Sequence, residues 1–331
     1  MRAAVLHEHG GTPAAGERPT PEPTPGRTLV RVSAAPLTPL DVLCASGTSY
    51  FGAPALPYAP GVQGVGRVLE GALPTGTRVW FPTSAGMAPG DGALAEVASV
   101  ADEDLVALGE DVDDAALAAL GLSATAAWTA LLGRGGMRPG ERVLVLGSSG
   151  VVGSVGIRAA VLNGASTVHA AALEESSAAD ARERGAAGFV PLGGLEHLAR
   201  DEAVAHLAER MRAVVGEVDV VLDPLCGVPS SAAALCLAPG GRLVNLGSSA
   251  GAEATYSSAH LRSGSRSILG YTNNDLTPAD RARAMTEIQQ HARAGELAVP
   301  HQVFDLDEVD AAWRAHCEGT AHGRVVVRLP G

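Results

Sequence analysis

Val143-Leu-Val-Leu-Gly147-Ser-Ser-Gly150-Val-Val-Gly153-Ser-Val-Gly156 reads as an apolar strand running into a glycine-spaced turn and then a helix. Gly147 and Gly150 permit a tight turn and close approach of a pyrophosphate, and Gly153 lets the helix pack against the strand. The helix start offers N–H donors to an anion, so Gly147, Ser148, Gly150, Val151, Val152 and Gly153 are the expected dinucleotide contacts. A purely structural glycine turn is the alternative. The strand before the loop, the helix after it and a second strand from Thr167 favour the dinucleotide.

Outward from the loop, about Gly121 to Thr272 alternates strand and helix. The predicted strands are Arg142–Leu146, Thr167–Ala172, Phe189–Pro191, Asp219–Asp223, Arg242–Leu246 and Ser267–Tyr271. Short apolar strands separated by helices imply a parallel, doubly wound α/β sheet. From Met1 to about Leu120 the pattern is instead short alternating runs between Gly and Pro: Ala3–Leu6, Thr28–Ala34, Gly64–Leu69, Arg78–Phe81 and Leu94–Val97. Period-2 patterning of this kind argues for a β-rich lobe. Thr12–Pro25 reads as a proline-rich surface connection. Pro278–Gly331, with helices at Pro278–Ala294 and Leu306–Cys317 and a strand at Arg324–Leu329, has too little apolar surface to stand alone. It is expected to fold back on the first lobe, giving domains 1–120 with 274–331, and 121–273.

Composition narrows the function classes. A chain of 331 residues spans about two domains. With 3% aromatic residues and a net charge of -12, it has few base-stacking platforms and repels phosphate backbones and anionic membranes. Nucleic acid and membrane are therefore not expected partners, and no segment reads as a bilayer span or a signal peptide, which places the protein in the cytoplasm. All 24 basic residues are arginine. Cys44, Cys226, Cys236 and Cys317 show no metal-ligand spacing and read as reduced thiols.

Coenzyme choice turns on the end of the second strand, where an acidic residue would hold the ribose of NAD(H). Ala172 occupies that end, with Glu174 two residues on, and the small residue favours NADPH over the alternative, NADH. No cation follows directly in Ala172-Leu173-Glu174-Glu175-Ser176-Ser177. Ser176, Ser177, Arg182 and Arg184 are the substitutes for a 2′-phosphate, although a solvated helix face is the plainer reading of the two arginines.

The chain resembles the medium-chain dehydrogenase/reductase superfamily, and within it the zinc-independent quinone oxidoreductase and enoyl reductase branch. The resemblance covers nearly the whole chain. It rests on Ala35-Pro-Leu-Thr38-Pro-Leu-Asp41, Ser46-Gly47-Thr-Ser-Tyr50, Pro60-Gly61-Val-Gln-Gly64-Val-Gly66, Leu120-Gly-Leu-Ser123-Ala-Thr125, the glycine loop, Asp219-Val-Val-Leu-Asp223-Pro, Pro239-Gly-Gly241-Arg-Leu-Val-Asn-Leu-Gly247-Ser-Ser249 and His322-Gly323-Arg324. It implies a doubly wound Rossmann cofactor domain plus a discontinuous, β-rich, GroES-like catalytic domain. It also implies a homodimer, whose formation would cover the apolar edge strand Ser267–Tyr271.

Zinc-dependent members carry a Gly-His-Glu stretch where this chain reads Gly61-Val62-Gln63, and a cysteine where it has Leu122. Val62 cannot ligate, so no metal is expected. Without a Lewis acid, hydride delivery to an activated C=C bond is easier than to a simple ketone, because the charge spreads into an enolate held by hydrogen bonds. The resemblance implies a quinone or an α,β-unsaturated carbonyl as the small-molecule partner.

By the same resemblance the cleft is lined by Thr38, Asp41, Tyr50, Phe51, Ser123, Thr125, Ser248, Tyr271, Thr272 and Asn273. Tyr50, Thr38 and Asn273 are the candidates for chemistry, and Asp41, Phe51, Tyr271 and Thr272 for substrate contact. Tyr50 donates a proton or only caps an apolar pocket; Asn273 holds a carbonyl or only forms a polar turn; Asp41 fixes local backbone more naturally than it acts as an acid. Ser123, Thr125, Leu246, Gly247 and Ser248 would surround the nicotinamide. Two further readings stay open: a biosynthetic enoyl reductase or reductive cyclase acting on a polyketide-like intermediate, and a non-redox descendant that keeps the fold for binding.

Overall fold

The structure is a computed structural model describing residues 1–330; Gly331, which the sequence reading puts in the first lobe, lies outside the described residues. The chain divides into two compact units, Met1–Leu122 with Thr277–Gly331, and Ser123–Leu276. In chain order the strands of the first stretch are β1 (Arg2–Val5), β2 (Ala14–Glu17), β3 (Arg27–Pro36), β4 (Gln63–Glu70), β5 (Arg78–Pro82), β6 (Val97–Ala101) and β7 (Val106–Ala107), with helix α1 (Pro39–Ala45) after β3. Helix α2 (Asp114–Trp128) leads to β8 (Arg142–Leu146), α3 (Val151–Leu162), β9 (Thr167–Ala172), α4 (Ala178–Glu183), β10 (Gly188–Pro191) and α5 (Arg200–Val215). There follow β11 (Val218–Asp223), α6 (Gly227–Ala234), β12 (Leu237–Asn245), α7 (Ser258–Ser263), β13 (Ser267–Gly270), α8 (Pro278–Arg293), β14 (His301–Asp305), α9 (Val309–Glu318) and β15 (Arg324–Arg328).

The second unit is a six-stranded sheet in the order β10-β9-β8-β11-β12-β13, every pair parallel. Numbered within the unit this is 3-2-1-4-5-6, the doubly wound dinucleotide-binding order, whose topological switch lies between β8 and β11. Val143 to Leu146 are all fully buried, as expected of a central parallel strand covered on both faces. A ligand crevice in such a sheet opens at the carboxyl ends of the strands around the switch, where Gly147 and Asp223 stand.

The first unit holds a seven-stranded sheet on the path β14-β15-β3-β4-β5-β7, with β6 also on β3, and a separate β1–β2 hairpin. β3 is long enough to pair with β4, β6 and β15, and its outward Arg31 between buried Val30 and Val32 shows the alternation that fixes its face. The C-terminal α8 and α9 belong to this unit, and Val309, Ala312 and Trp313 of α9 join its core.

Three sequence expectations change. Leu94–Val97 is not one strand: Leu94 and Ala95 meet β1, through Ala4 N–H to the Leu94 carbonyl at 2.8 Å and an Ala3–Ala95 bridge, while the ladder to β3 starts only at Val97. Thr12–Pro25 is not merely a connection, because Ala14–Glu17 pairs antiparallel with β1. The third concerns the absence of a span: the helical run Asp114–Arg134 is 21 residues and apolar enough to cross a membrane, but 72% of its apolar window is buried inside the protein. It is a core helix by packing. Gly121, at φ 32° and ψ -132°, breaks it, and it ends in a π-helical turn over Thr129–Arg134.

Candidate active site

In the second unit, β8 delivers the chain to Gly147 at φ 63°, a left-handed conformation that favours glycine. The turn is closed by Gly150 N–H to the Gly147 carbonyl at 3.1 Å and anchored by Ser148 N–H to Ala171 of β9 at 3.0 Å. A Cβ on Gly153 would lie 2.2 Å from the Gly147 carbonyl oxygen, so only glycine lets α3 start this close to the loop. The first N–H groups of α3, at Val151, Val152 and Gly153, have no carbonyl behind them within the helix and point toward the loop. The Ser148 hydroxyl is buried with no partner among the described residues. A buried donor without an acceptor is costly, and this one stands in the glycine loop just before the start of α3.

Ala172 is fully buried at the end of β9, level with Pro191 of β10. Beyond it Leu173, Glu174, Glu175 and Ser176 are exposed and Ser177 half-buried, in a short 3-10 turn. Of the two arginines, Arg184 lies 3.8 Å from Asp180 on its own helix, while Arg182 is exposed in the last turn of α4.

At the switch point Asp223 is completely buried and organises the floor of the crevice. One carboxylate oxygen accepts from Leu225 N–H (3.0 Å) and Cys226 N–H (2.9 Å), and the other from the Asn245 amide (2.9 Å), which also donates to the Gly247 carbonyl at 2.9 Å. Leu246-Gly247-Ser248 is thereby held beside Pro224, whose carbonyl oxygen would lie 2.6 Å from a Gly247 Cβ. Asp223 and Asn245 were not among the expected site residues. Their signal was present, since each ends a strand at the carboxyl edge. Cys226 takes φ 57°, outside the range an L side chain adopts without strain. Cys226→Gly should therefore raise the unfolding free energy by about 1 kcal/mol, measured by denaturant titration.

The end of β13 forms a second cluster. Tyr271 N–H donates to the Asn245 carbonyl (2.9 Å), its hydroxyl donates to Asn273 Oδ1 (2.6 Å) and meets the Thr129 hydroxyl, and Thr129 donates to the Thr125 carbonyl (2.6 Å). Thr272 caps the 3-10 turn Asn273–Asp275, so Asn273 lies in a polar turn and also holds Tyr271. Ser123 and Thr125 are buried. Thr129 was not foreseen, because nothing in the sequence marks a π-helical turn.

In the first unit, Thr38 and Asp41 form a capping box at the start of α1. Asp41 is 1% exposed and accepts from Thr38 N–H (2.8 Å), Thr38 O–H (2.6 Å), Gly61 N–H (3.1 Å) and Val62 N–H (2.9 Å). All four partners are donors, which suits an ionised carboxylate although burial pushes its pKa up. The Asp41 carboxylate is thus engaged by three backbone N–H groups and by the Thr38 hydroxyl. Burial holds nearby Arg324 down at about 10, with Asp41 opposing the shift.

Asp41 fixes the backbone of the segment Gly61-Val62-Gln63. Gln63 Oε1 accepts from the Trp80 indole (2.9 Å) and from Leu122 N–H (2.7 Å), filling the space a Cβ on Gly121 would need. Among the described residues no three His, Cys, Asp or Glu side chains converge as metal ligands. Tyr50 is 79% exposed and packs on Phe51 with ring centroids 4.2 Å apart. His316 is half-buried, and burial lowers its pKa.

A parallel 3-2-1-4-5-6 sheet with a glycine-cradled helix start, together with a β-rich unit built from both chain ends, defines a dehydrogenase/reductase of the alcohol dehydrogenase type. The comparisons with known proteins agree. Residues 194–327 match a family described as zinc-binding dehydrogenase. The quinone oxidoreductase of Rattus norvegicus is 30% identical over 259 residues, covering 75% of this chain and 73% of that protein. The solved quinone oxidoreductase of Thermus thermophilus, also determined in complex with NADPH, is 31% identical with a TM-score of 0.76, over 99% of this chain and 100% of that one. One component of the phenolphthiocerol/phthiocerol polyketide synthase of Mycobacterium tuberculosis is 29% identical over 91% of this chain, which spans only 13% of that protein's length. The chain belongs to the medium-chain dehydrogenase/reductase superfamily, in its quinone oxidoreductase branch, and is an oxidoreductase.

Proposed function

We propose that the protein is an NADPH-dependent, zinc-independent reductase of quinones or α,β-unsaturated carbonyls. The observation that carries this reading is the glycine loop: a helix start with unpaired N–H groups, an orphaned Ser148 hydroxyl, and a strand end at Ala172 without a carboxylate to oppose a 2′-phosphate. A bound nicotinamide dinucleotide supplies a hydride. The residues of this chain bind its pyrophosphate at Val151–Gly153, leave room for its ring beside Gly247, and hold the turn rigid through Asp223 and Asn245. Val62 and Leu122 offer no ligating atom and the Gln63 oxygen is already engaged, so charge that develops on the substrate oxygen falls to hydrogen-bond donors. Tyr50, exposed in its loop, is the candidate to supply such a donor.

The similarity to part of a polyketide synthase favours a second reading, reduction of an enone in a polyketide-like intermediate by the same chemistry. We further propose a cytoplasmic homodimer joined through β13, which is an edge strand with Ile268 and Leu269 half-buried. The test is fluorescence titration with NADPH and NADH, followed by 1,4-quinone and enone acceptors. Tighter binding of NADPH and acceptor-dependent oxidation are expected. Failure of both coenzymes to bind would leave the glycine loop as inherited architecture.

A further inference from the structure

Asn245, the half-buried last residue of β12, uses only one side of its carboxamide. Its nitrogen is fully spent: Nδ2 donates to Asp223 Oδ2 and to the Gly247 carbonyl, both at 2.9 Å, with a longer contact of 3.3 Å to the Asp223 carbonyl. An amide nitrogen has two protons, so these partners account for both. A reversed amide would set oxygen against oxygen at each of them, which fixes its orientation. Oδ1 then faces away from Asp223 and Gly247 and accepts from no donor among the described residues. It is not one of the buried side-chain atoms left without a partner, so it opens to solvent at the carboxyl edge of the sheet.

This gives the crevice two ends of opposite polarity. At the end of β8 it presents donors, the N–H groups at the start of α3 and the Ser148 hydroxyl. At the end of β12, two strands away across β11, it presents an acceptor with buried Asp223 behind it. Strands lie about 4.8 Å apart, so the two ends are about 10 Å from each other. An anion suits the first and is disfavoured at the second, where a neutral donor fits. Donation to a carboxylate polarises the amide, which makes Oδ1 a stronger acceptor than that of a free asparagine. Its position is also fixed through the backbone, since Asn245 lies in register with Asp223 on one side and Gly270 on the other, and its carbonyl accepts Tyr271 N–H at 2.9 Å.

We propose that Asn245 is a coenzyme-binding residue whose Oδ1 accepts a hydrogen bond from the nicotinamide riboside half of the dinucleotide, while the pyrophosphate lies on the glycine loop. That half is uncharged in the reduced coenzyme and carries neutral donors of two kinds, the ribose hydroxyls and the carboxamide NH2. Asp223 is the positioning residue, because it holds the amide nitrogen and so aims the oxygen. The inference rests on the dinucleotide part of the reading above and is independent of which acceptor the enzyme reduces.

The test is calorimetric titration of the full chain, wild type and Asn245→Ala, with three ligands. These are NADPH, its 3-acetylpyridine analogue, in which a methyl group replaces the carboxamide NH2, and an analogue whose nicotinamide-side ribose lacks its hydroxyls. Loss of one neutral hydrogen bond predicts an effect of about tenfold. If the donor is the carboxamide, the wild type binds the acetylpyridine analogue about tenfold more weakly than NADPH, and Asn245→Ala binds the two alike. If the donor is a ribose hydroxyl, the deoxy analogue shows that pattern instead. The proposal is overturned if Asn245→Ala changes neither analogue's penalty by more than twofold. That outcome includes equal weakening of all three ligands, the result of a merely structural role for the amide. Asn245→Leu, closer in volume, gives the same comparison should the alanine variant fail to fold, and a wild type that binds all three ligands within twofold overturns the proposal without any variant. A wild type that binds neither NADPH nor NADH overturns the dinucleotide reading itself.

Discussion

Gly153→Ala should lower NADPH affinity by about 100-fold, equivalent to about 2.7 kcal/mol. The added Cβ would sit 2.2 Å from the Gly147 carbonyl oxygen and 2.7 Å from both Gly147 C and Ser148 Cα. All three are backbone atoms of a turn pinned at Ala171, so no side chain can swing aside, and either α3 or the loop must move. Such a shift takes the N–H groups of Val151 to Gly153 out of line with the anion. Gly150→Ala separates protein strain from ligand contact. There φ is -81° and the new Cβ meets only the Gly147 carbonyl oxygen, at 3.5 Å, which the protein tolerates. A drop in affinity at position 150 therefore reports the nearness of the coenzyme itself. Titration of both variants by fluorescence quenching, with circular dichroism to confirm folding, checks the pair; unchanged binding in Gly153→Ala would remove the loop from the site.

Asp41→Ala should destabilise the first unit by on the order of 3–5 kcal/mol, read as a lower denaturant midpoint. The carboxylate satisfies the cap of α1 and the N–H groups of Gly61 and Val62, all in a site closed to water. Truncation leaves those donors unpaired and deprives buried Arg324 of a favourable charge. Coenzyme binding should survive in whatever fraction stays folded, because Asp41 belongs to the first unit and the glycine loop to the second. Loss of NADPH binding with an unchanged midpoint would instead return Asp41 to the ligand contacts.

The parts legible in advance share a physical basis. The parallel strands β8, β9 and β11 are apolar runs bounded by glycine or by polar ends, and the predicted Thr167–Ala172 coincides with β9. Burial on both faces leaves such strands little freedom in composition, so each is visible one at a time. The weaker expectations involve choices between partners. Leu94 and Ala95 alternate as a strand does, yet their hydrogen bonds go to β1 and those of Val97 to β3. β14 went unread because Gln302-Val303-Phe304 alternates weakly and is stabilised by its pairing with β15.

For the site, residue types alone marked the glycine loop and the uncharged end of β9. These are local properties: a missing Cβ or a missing carboxylate acts wherever the chain goes. Long-range pairing decided the rest. Thr38 sits three residues from Asp41, but Gly61 and Val62, twenty positions later, complete the set of donors to the carboxylate. Asp223 becomes the floor of the crevice only when Asn245 of the neighbouring strand reaches it. Thr129 meets Tyr271 across 142 positions, through a helical turn that has no sequence signature. Hydrogen bonds between residues so far apart depend on register and on backbone geometry to a fraction of an ångström, and only the folded chain sets these.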